Sequence, residues 1–329
     1  MAEKKRIIFV DAGPEVDVVF ADSDHRRRIE ELGAFEICYG DPDTDEEYLK
    51  RAQHADAILI GGPAPFPVDI MRQTKALEVI SFTGRGVDTY VDLAAATAQG
   101  ITVCNAPGAL ELTVAEHALA LMLACTRHLP RLDREVRTGV WNQGLPAIEL
   151  QGKMLGFLGC GPIAVHFARL ASGIGMKVRA WTRNPSAERA DRDCVEFAAF
   201  DEIVRESDVL SMHVAHTGET EGILGTDELA RTKRGVVVLN TARGALIDYD
   251  ALTQLLQSSH IAAAGLDVFS EEPPALSHPL LQLENVVLSP HVAWNTPEAT
   301  GRVYDIAIDN LVGFYHDKPV NVVAGPTLR

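Results

Sequence analysis

The chain contains no apolar run near the roughly 18 residues that a membrane-spanning helix requires, so no segment of it is expected to cross a bilayer. It is also short of positive charge. Thirty lysines and arginines stand against 46 aspartates and glutamates, a formal net charge of −16 over 329 residues. Nucleic acid and anionic membrane surfaces both call for basic patches, so neither is expected as a partner. One basic cluster, His25-Arg26-Arg27-Arg28, is followed at once by Glu30 and Glu31 and is expected to form a solvated helix face. The five cysteines, at 38, 104, 125, 160 and 194, are odd in number and include no C-x-x-C pair. That fits reduced thiols in the cytoplasm rather than a disulfide framework. The start, MAEKKRIIFVDAG, is basic but leads into a short strand, not the apolar stretch of a signal peptide. His213 and His216 have H-x-x-H spacing at the end of a strand, where it does not put both on one face, and no metal site is expected. The acidic run Asp41-Pro42-Asp43-Thr44-Asp45 lacks the glycine and distant glutamate of a calcium loop and reads as a helix cap.

What the chain has is a globular composition, 47% hydrophobic and 23% charged, and a strict alternation of short apolar runs with helical stretches. Strands are expected at 6–11, 35–40, 55–62, 77–84 and 101–105, with helices such as 45–54 and 91–100 between them. Residues 112–141 read as one long helix, buried over much of its surface. A second series of strands follows at 154–159, 177–182, 209–214, 235–240, 262–268 and 286–290. The expected fold is α/β, with two Rossmann-like domains on parallel sheets. The amphipathic tail helix, 296–319, is expected to return to the first domain and make it discontinuous. The expected substrate domain is 1–103 with 292–329, flavodoxin-like, and the expected dinucleotide-binding domain is 104–291.

The stretch MLGFLGCGPIAVHFARL, 154–170, is a strand, a glycine turn and a helix, the context that a G-x-G-x-x-G/A fingerprint requires. Gly159 permits the tight turn and Gly161 lets the backbone approach a pyrophosphate. Ala164 takes the third position, where the helix packs on the strand. Pro162 costs nothing at the first helical position, and the free amides from Ile163 onward favour a phosphate. About 20 residues on, where an NAD site places an acid on the ribose, the sequence reads Ala180-Trp181-Thr182-Arg183-Asn184. Thr182 offers a hydroxyl and Arg183 a guanidinium suited to a 2′-phosphate, so NADP is favoured over NAD.

Five segments, the glycine turn among them, occur in this order: TVAEHALALML (113–123), LGCGPIA (158–164), LNTARGALID (239–248), GLDVFSEEPP (265–274) and LSPHVAW (288–294). With them the chain resembles the D-isomer-specific 2-hydroxyacid dehydrogenases over nearly its whole length. The resemblance implies an active site in a cleft between two domains, closing to exclude water during hydride transfer. It implies a catalytic set of Arg243, Glu272 and His291. His291 would protonate the carbonyl oxygen of a 2-keto acid, Glu272 would hold the imidazole, and Arg243 would grip the substrate carboxylate and polarise the keto group. Asp267, Val214, Thr241 and Ala242 would line the nicotinamide end beside Arg243 and His291. The loop Thr83-Gly84-Arg85-Gly86 would hold the substrate carboxylate on backbone amides, its glycines allowing an anion nest. Arg85 is either an added anion contact or a solvent-facing side chain, and Trp294 is either a wall beside the substrate or a packing residue between the domains.

The implied activity is reduction of a small 2-keto acid, glyoxylate or hydroxypyruvate first, by a cytoplasmic homodimer that dimerises through 112–141. Phosphoglycerate dehydrogenase activity ranks lower, because many of those enzymes carry a regulatory domain beyond the point where this chain ends. A dinucleotide-sensing corepressor is the alternative from another class. Such a protein would bind cofactor tightly while no keto acid accelerated its oxidation.

Overall fold

In a computed structural model the chain is described over residues 4–14, 16–20, 24–62 and 64–326. The first three residues of the basic start and the last three of the expected substrate domain lie outside these. Thirteen strands are described: β1 (Lys5–Ala12), β2 (Gly33–Tyr39), β3 (Ala57–Ile60), β4 (Val79–Phe82), β5 (Thr102–Cys104), β6 (Met154–Leu158), β7 (Lys177–Trp181), β8 (Glu196–Phe197), β9 (Val209–Met212), β10 (Val236–Asn240), β11 (Ile261–Leu266), β12 (Val286–Leu288) and β13 (Val322–Ala324). They form two sheets, one in each of two compact units, Met1–Leu110 with Thr296–Arg329 and Glu111–Asn295.

The first unit has the strand order β13-β5-β4-β3-β1-β2, which contains the flavodoxin-like sequence 2-1-3-4-5. Its pairings are parallel except at the edge, where β13 runs antiparallel to β5. The helix Pro297–Tyr315 belongs to this unit. It is capped by Thr296, whose hydroxyl accepts from Ala299 N. Its Tyr304, Ala307, Ile308 and Leu311 are buried with Ile7, Phe9 and Leu59 of the sheet. Ser81 on β4 donates to Ala307 O at 2.9 Å, and Asn310 donates to Asn105 O at 2.9 Å. The basic cluster departs from expectation. His25 and Arg28, on the helix Asp24–Leu32, pair with Asp305 at 3.0 and 3.3 Å, and Arg28 also pairs with Asp309, so half of this face is tied to the tail helix. The acidic run caps a helix as expected, with Thr44 Oγ1 accepting from Glu47 N.

The second unit has the order β12-β11-β10-β9-β6-β7-β8, parallel throughout. The helix Glu111–Arg127 lies over it, burying Ala115, Ala118, Leu121, Met122 and Cys125 in one core with Phe157, Phe167 and Leu239. The expected single helix over 112–141 is in fact two. Pro130 has no N–H to give Thr126 O, and Ile148 N takes that carbonyl instead at 2.9 Å. The chain breaks at His128, which is left-handed with φ 54°, and a second helix runs Leu129–Arg137 with no buried residue.

Candidate active site

The second sheet brings the expected cofactor residues to one edge. Leu288, Leu266, Asn240, Met212, Leu158 and Trp181 are successive partners in a single row across β12, β11, β10, β9, β6 and β7. All six strands run the same way, so the residues that follow them leave the sheet side by side: Ser289, Asp267, Thr241, His213, Gly159 and Thr182. Strand order reverses between β6 and β9, the place where doubly wound sheets open a crevice for a ligand.

Gly159 sits at that reversal with φ +98°, and a Cβ there would lie 2.5 Å from the backbone C and O of His213. No other residue fits this turn. Gly161 caps the helix Pro162–Gly173, and its missing Cβ would meet nothing within 4 Å. The helix N-terminus, with Pro162 and Ile163 in its first turn, therefore faces open space. Ala164 is fully buried against the sheet. His213 donates its backbone N–H to Leu158 O at 2.7 Å, and its ring meets Ser211 Oγ at 2.9 Å and the edge of Phe157. Burial pushes this imidazole down to about 3, so it is neutral. At the ribose end Arg183 pairs with Glu219 at 3.1 Å, both exposed. A second arginine, which the spacing argument missed, stands behind it. Arg189 donates to Cys160 O in the glycine turn at 2.7 Å and to Asn184 O at 2.9 Å, and it reaches Thr182 Oγ1 at 3.4 Å. Thr241 Oγ1 and His216 Nε2 are buried without a hydrogen-bond partner, a cost of about 1–3 kcal/mol each that a bound molecule would relieve. An open helix N-terminus, a turn that admits close approach and orphaned polar atoms at neighbouring strand ends fit a dinucleotide. Val214 and Ala242 are partly exposed along the same edge.

Arg243, Glu272 and His291 are tied to the same edge through main-chain contacts. Asn240 is fully buried at the end of β10; its side chain accepts from Ala242 N and donates to Arg243 O, bracing the turn that presents Arg243. Arg243 Nη1 donates to Ala242 O at 2.7 Å. Gly244 packs so closely on the next segment that a Cβ would lie 1.9 Å from Phe269 O. Phe269 N in turn donates to Glu272 Oε1 at 2.9 Å, and Glu272 Oε2 meets His291 Nδ1 at 2.7 Å. His291 is held at three points: Nδ1 by Glu272, N–H by Asp267 O at 2.7 Å, and C=O by the indole N–H of Trp294 at 3.0 Å. It adopts φ 53°, the left-handed region, which costs a non-glycine residue about 1–2 kcal/mol and persists where neighbours enforce it. Nε2 is the ring nitrogen left for a substrate. A cavity of about 370 Å³ opens beside the pair, with apolar walls from Phe269, Pro273, Leu281 and Leu288.

Asp267 is fully buried, and its carboxylate faces the 289–293 segment. It accepts from Ser289 Oγ at 2.6 Å, Val292 N at 3.0 Å and Ala293 N at 2.9 Å. Burial works against its charge, but the nearby His117 ring, the Ser289 hydroxyl and the two amides hold it below the usual carboxylate range.

In the first unit, Thr83-Gly84-Arg85-Gly86 follows β4. Ala106 N fixes Gly84 O at 2.7 Å and Asn105 Nδ2 fixes Arg85 O at 2.8 Å. The reason expected for its glycines is not the one observed. Neither Gly84 nor Gly86 has a positive φ, and Gly84 is required because a Cβ would lie 2.6 Å from the Phe82 ring.

Residues 119–293 match the family described as D-isomer specific 2-hydroxyacid dehydrogenase, NAD binding domain. The chain is 38% identical over 286 residues to D-3-phosphoglycerate dehydrogenase of Archaeoglobus fulgidus, covering 86% of this chain and 54% of that one. It is 39% identical to hydroxypyruvate reductase of Thermotoga maritima (78% and 84% covered) and 36% identical to glyoxylate reductase of Aeropyrum pernix (86% and 87% covered). It thus spans about half the length of the first relative and most of the other two. Among solved structures, an acyclic imino acid reductase in complex with NADPH and D-Arg superposes with TM-score 0.85 at 27% identity, over 97% of this chain and 99% of that one. D-lactate dehydrogenase of Aquifex aeolicus, complexed with NAD and lactic acid, superposes with TM-score 0.85 at 26% identity, over 97% and 99%. On these matches and the site they fall on, the chain belongs to the D-isomer-specific 2-hydroxyacid dehydrogenase family, oxidoreductases that work with a nicotinamide dinucleotide.

Proposed function

We propose that the protein reduces a small 2-keto acid to the D-2-hydroxy acid, with His291 as proton donor, Glu272 as its holder and Arg243 as the anchor of the substrate carboxylate. The observation that carries this reading is His291 itself. Its main chain is pinned at both ends, its Nδ1 is engaged by a carboxylate at 2.7 Å, and Nε2 remains for the reacting oxygen. Held at the Gly159–Ile163 turn, a nicotinamide dinucleotide would supply hydride chemistry at the keto carbon. The charge that develops on the keto oxygen is met by the proton on His291 Nε2, and the imidazole is left neutral with Nδ1–H still on Glu272. Arg243, presented by the Asn240-braced turn, offers a planar fork to the carboxylate. Trp294, whose indole N–H holds the His291 carbonyl, keeps that loop in place.

NADP is the favoured cofactor. No acid follows β7 before Glu188, while Thr182, Arg183 and Arg189 gather there, and a 2′-phosphate would compete with Glu219 for Arg183. Glyoxylate and hydroxypyruvate are the favoured substrates, in line with the names of two relatives matched over most of their length. A homodimer is favoured by the exposed apolar side chains Leu129, Val136, Val140 and Trp141, the last 76% exposed, which a second copy of the chain would cover. The five unpaired cysteines fit a reducing compartment, the cytoplasm. Among the described residues no helix is long and apolar enough to cross a membrane.

The test is absorbance at 340 nm with NADPH and with NADH against glyoxylate, hydroxypyruvate, pyruvate, phenylpyruvate and 3-phosphohydroxypyruvate. Fastest oxidation with NADPH and one of the first two is expected. Tight NADPH binding with no turnover on any of the five would overturn the reading in favour of a sensor.

A further inference from the structure

We propose that His117 is a positioning residue for the proton donor, acting through Ser289 and Asp267 on the segment that carries His291. The inference rests on the proposed role of His291. His117 lies on the helix Glu111–Arg127, remote in sequence from the strand-end loops. Its Nε2 is 2.8 Å from Ser289 Oγ and 3.5 Å from Asp267 Oδ1, so the hydroxyl is its partner. The direction of the bonds follows from the chemistry. An ionised carboxylate only accepts, so Ser289 spends its single proton on Asp267 at 2.6 Å. Ser289 Oγ must then accept from His117, which fixes His117 as a donor at Nε2. The chain ends on a fully buried carboxylate around which the following loop is wrapped. Asp267 takes the amides of Val292 and Ala293 on its carboxylate and the amide of His291 on its carbonyl.

Packing alone does not call for a histidine at 117. Positions 117, 121 and 125 recur at i, i+4 and i+8 and so share one helix face. The other two are Leu121 and Cys125, in contact range of Gly265 on β11, where a Cβ would lie 3.0 Å from Leu121 Cβ and 3.3 Å from Cys125 Sγ. An apolar residue at 117 would continue that stripe. Histidine instead supplies a donor that keeps the Ser289 hydroxyl turned to Asp267. Without it the hydroxyl can rotate away, the carboxylate loses a donor, and the loop holding His291 in its left-handed conformation is loosened.

The test compares H117A, H117Q, S289A and the H117A/S289A double variant with wild type. The readouts are the single-turnover rate of NADPH oxidation with glyoxylate and with hydroxypyruvate, the Kd of NADPH by fluorescence, and the His291 imidazole signals in long-range 1H–15N spectra. H117A is expected to slow the single turnover about tenfold, as a small displacement of a reacting group does, with NADPH affinity within about twofold. H117Q, whose amide donates to the same hydroxyl, should recover most of the rate. The double variant should be no slower than S289A, because both residues act through one carboxylate. The His291 signals should move in H117A and S289A and return in H117Q. H117A at the wild-type rate, losses that multiply in the double variant, or His291 signals unmoved by H117A would each overturn the proposal. H291A serves as the control. If it turns over normally the proton-donor reading falls, and the spectra alone then decide whether His117 positions that loop.

Discussion

His291 is held at its amide, its carbonyl and one ring nitrogen before any substrate arrives, the preorganisation that lets a positioned acid act in the transition state without paying for reorganisation. Glu272→Gln keeps the shape of the holder and removes its charge. Turnover should fall roughly 10²-fold with NADPH affinity unchanged, and a normal kcat would remove Glu272 from the account. At the cofactor end, Arg183→Ala should raise the apparent constant for NADPH far more than that for NADH; an equal effect on both would end the case for NADP. Arg243, Glu272 and His291 were legible as residues because each sits in a short segment with its neighbours in order. Asn240, Arg189 and His117 were not. Asn240 reads as the last residue of a strand and Arg189 as a charge on a short helix. His117 reads as one polar position in an apolar helix. What each does depends on a partner brought close only by the fold: the Arg243 turn, Cys160 O and Ser289 Oγ.

The glycine turn allows two glycines to be separated by physical role. Gly159→Ala places a side chain at φ +98° and within 2.5 Å of the His213 backbone, so thermal unfolding should show a loss of at least about 1–3 kcal/mol. Gly161→Ala adds a methyl into open space at φ −92°. Its stability should stay within about 0.5 kcal/mol of wild type, while NADPH binding weakens at least tenfold because the methyl stands where a pyrophosphate must approach. Unchanged affinity in Gly161→Ala would mean that this helix end holds no phosphate. The strands around the turn were legible from their apolar runs and the alternation with helices. β8, two residues long, and β13, an antiparallel edge of three, carry too few residues for a period and exist through their partners, β7 and β5. The break at His128 was present in the sequence as Pro130, two residues on, but was outweighed by the apolar run before it.

At the scale of the whole chain, a half-buried histidine and a buried aspartate set opposite pH dependences in the two units. His213, in the second, titrates near 6.5 when unfolded and is pushed down to about 3 by burial. Between these values the unfolded chain binds a proton that the folded one refuses, so the stability it contributes is full above about pH 6.5 and is lost as pH falls. Asp11, in the first, is raised from 3.8 to about 6, burial outweighing its bonds to the amides of Gly61 and Gly62. Its cost is absent below about pH 4 and complete above about pH 6. All three tryptophans, 141, 181 and 294, lie in the second unit, so tryptophan fluorescence in urea reports the unit that holds His213 rather than the one that holds Asp11, and the His213→Gln comparison isolates the histidine. Lowering the pH from about 6.5 to 4.5 should cost that transition about 2–3 kcal/mol more in wild type than in His213→Gln. Parallel losses in the two proteins would show that His213 takes up its proton in the folded state.

The central claim is that His291 delivers the proton. It is tested most directly by His291→Ala, with single-turnover oxidation of NADPH by the preferred keto acid measured beside the Kd of NADPH. The account predicts a rate lower by a factor of roughly 10² to 10⁴ and a Kd within about twofold of wild type. A variant that oxidises NADPH at the wild-type rate would contradict it.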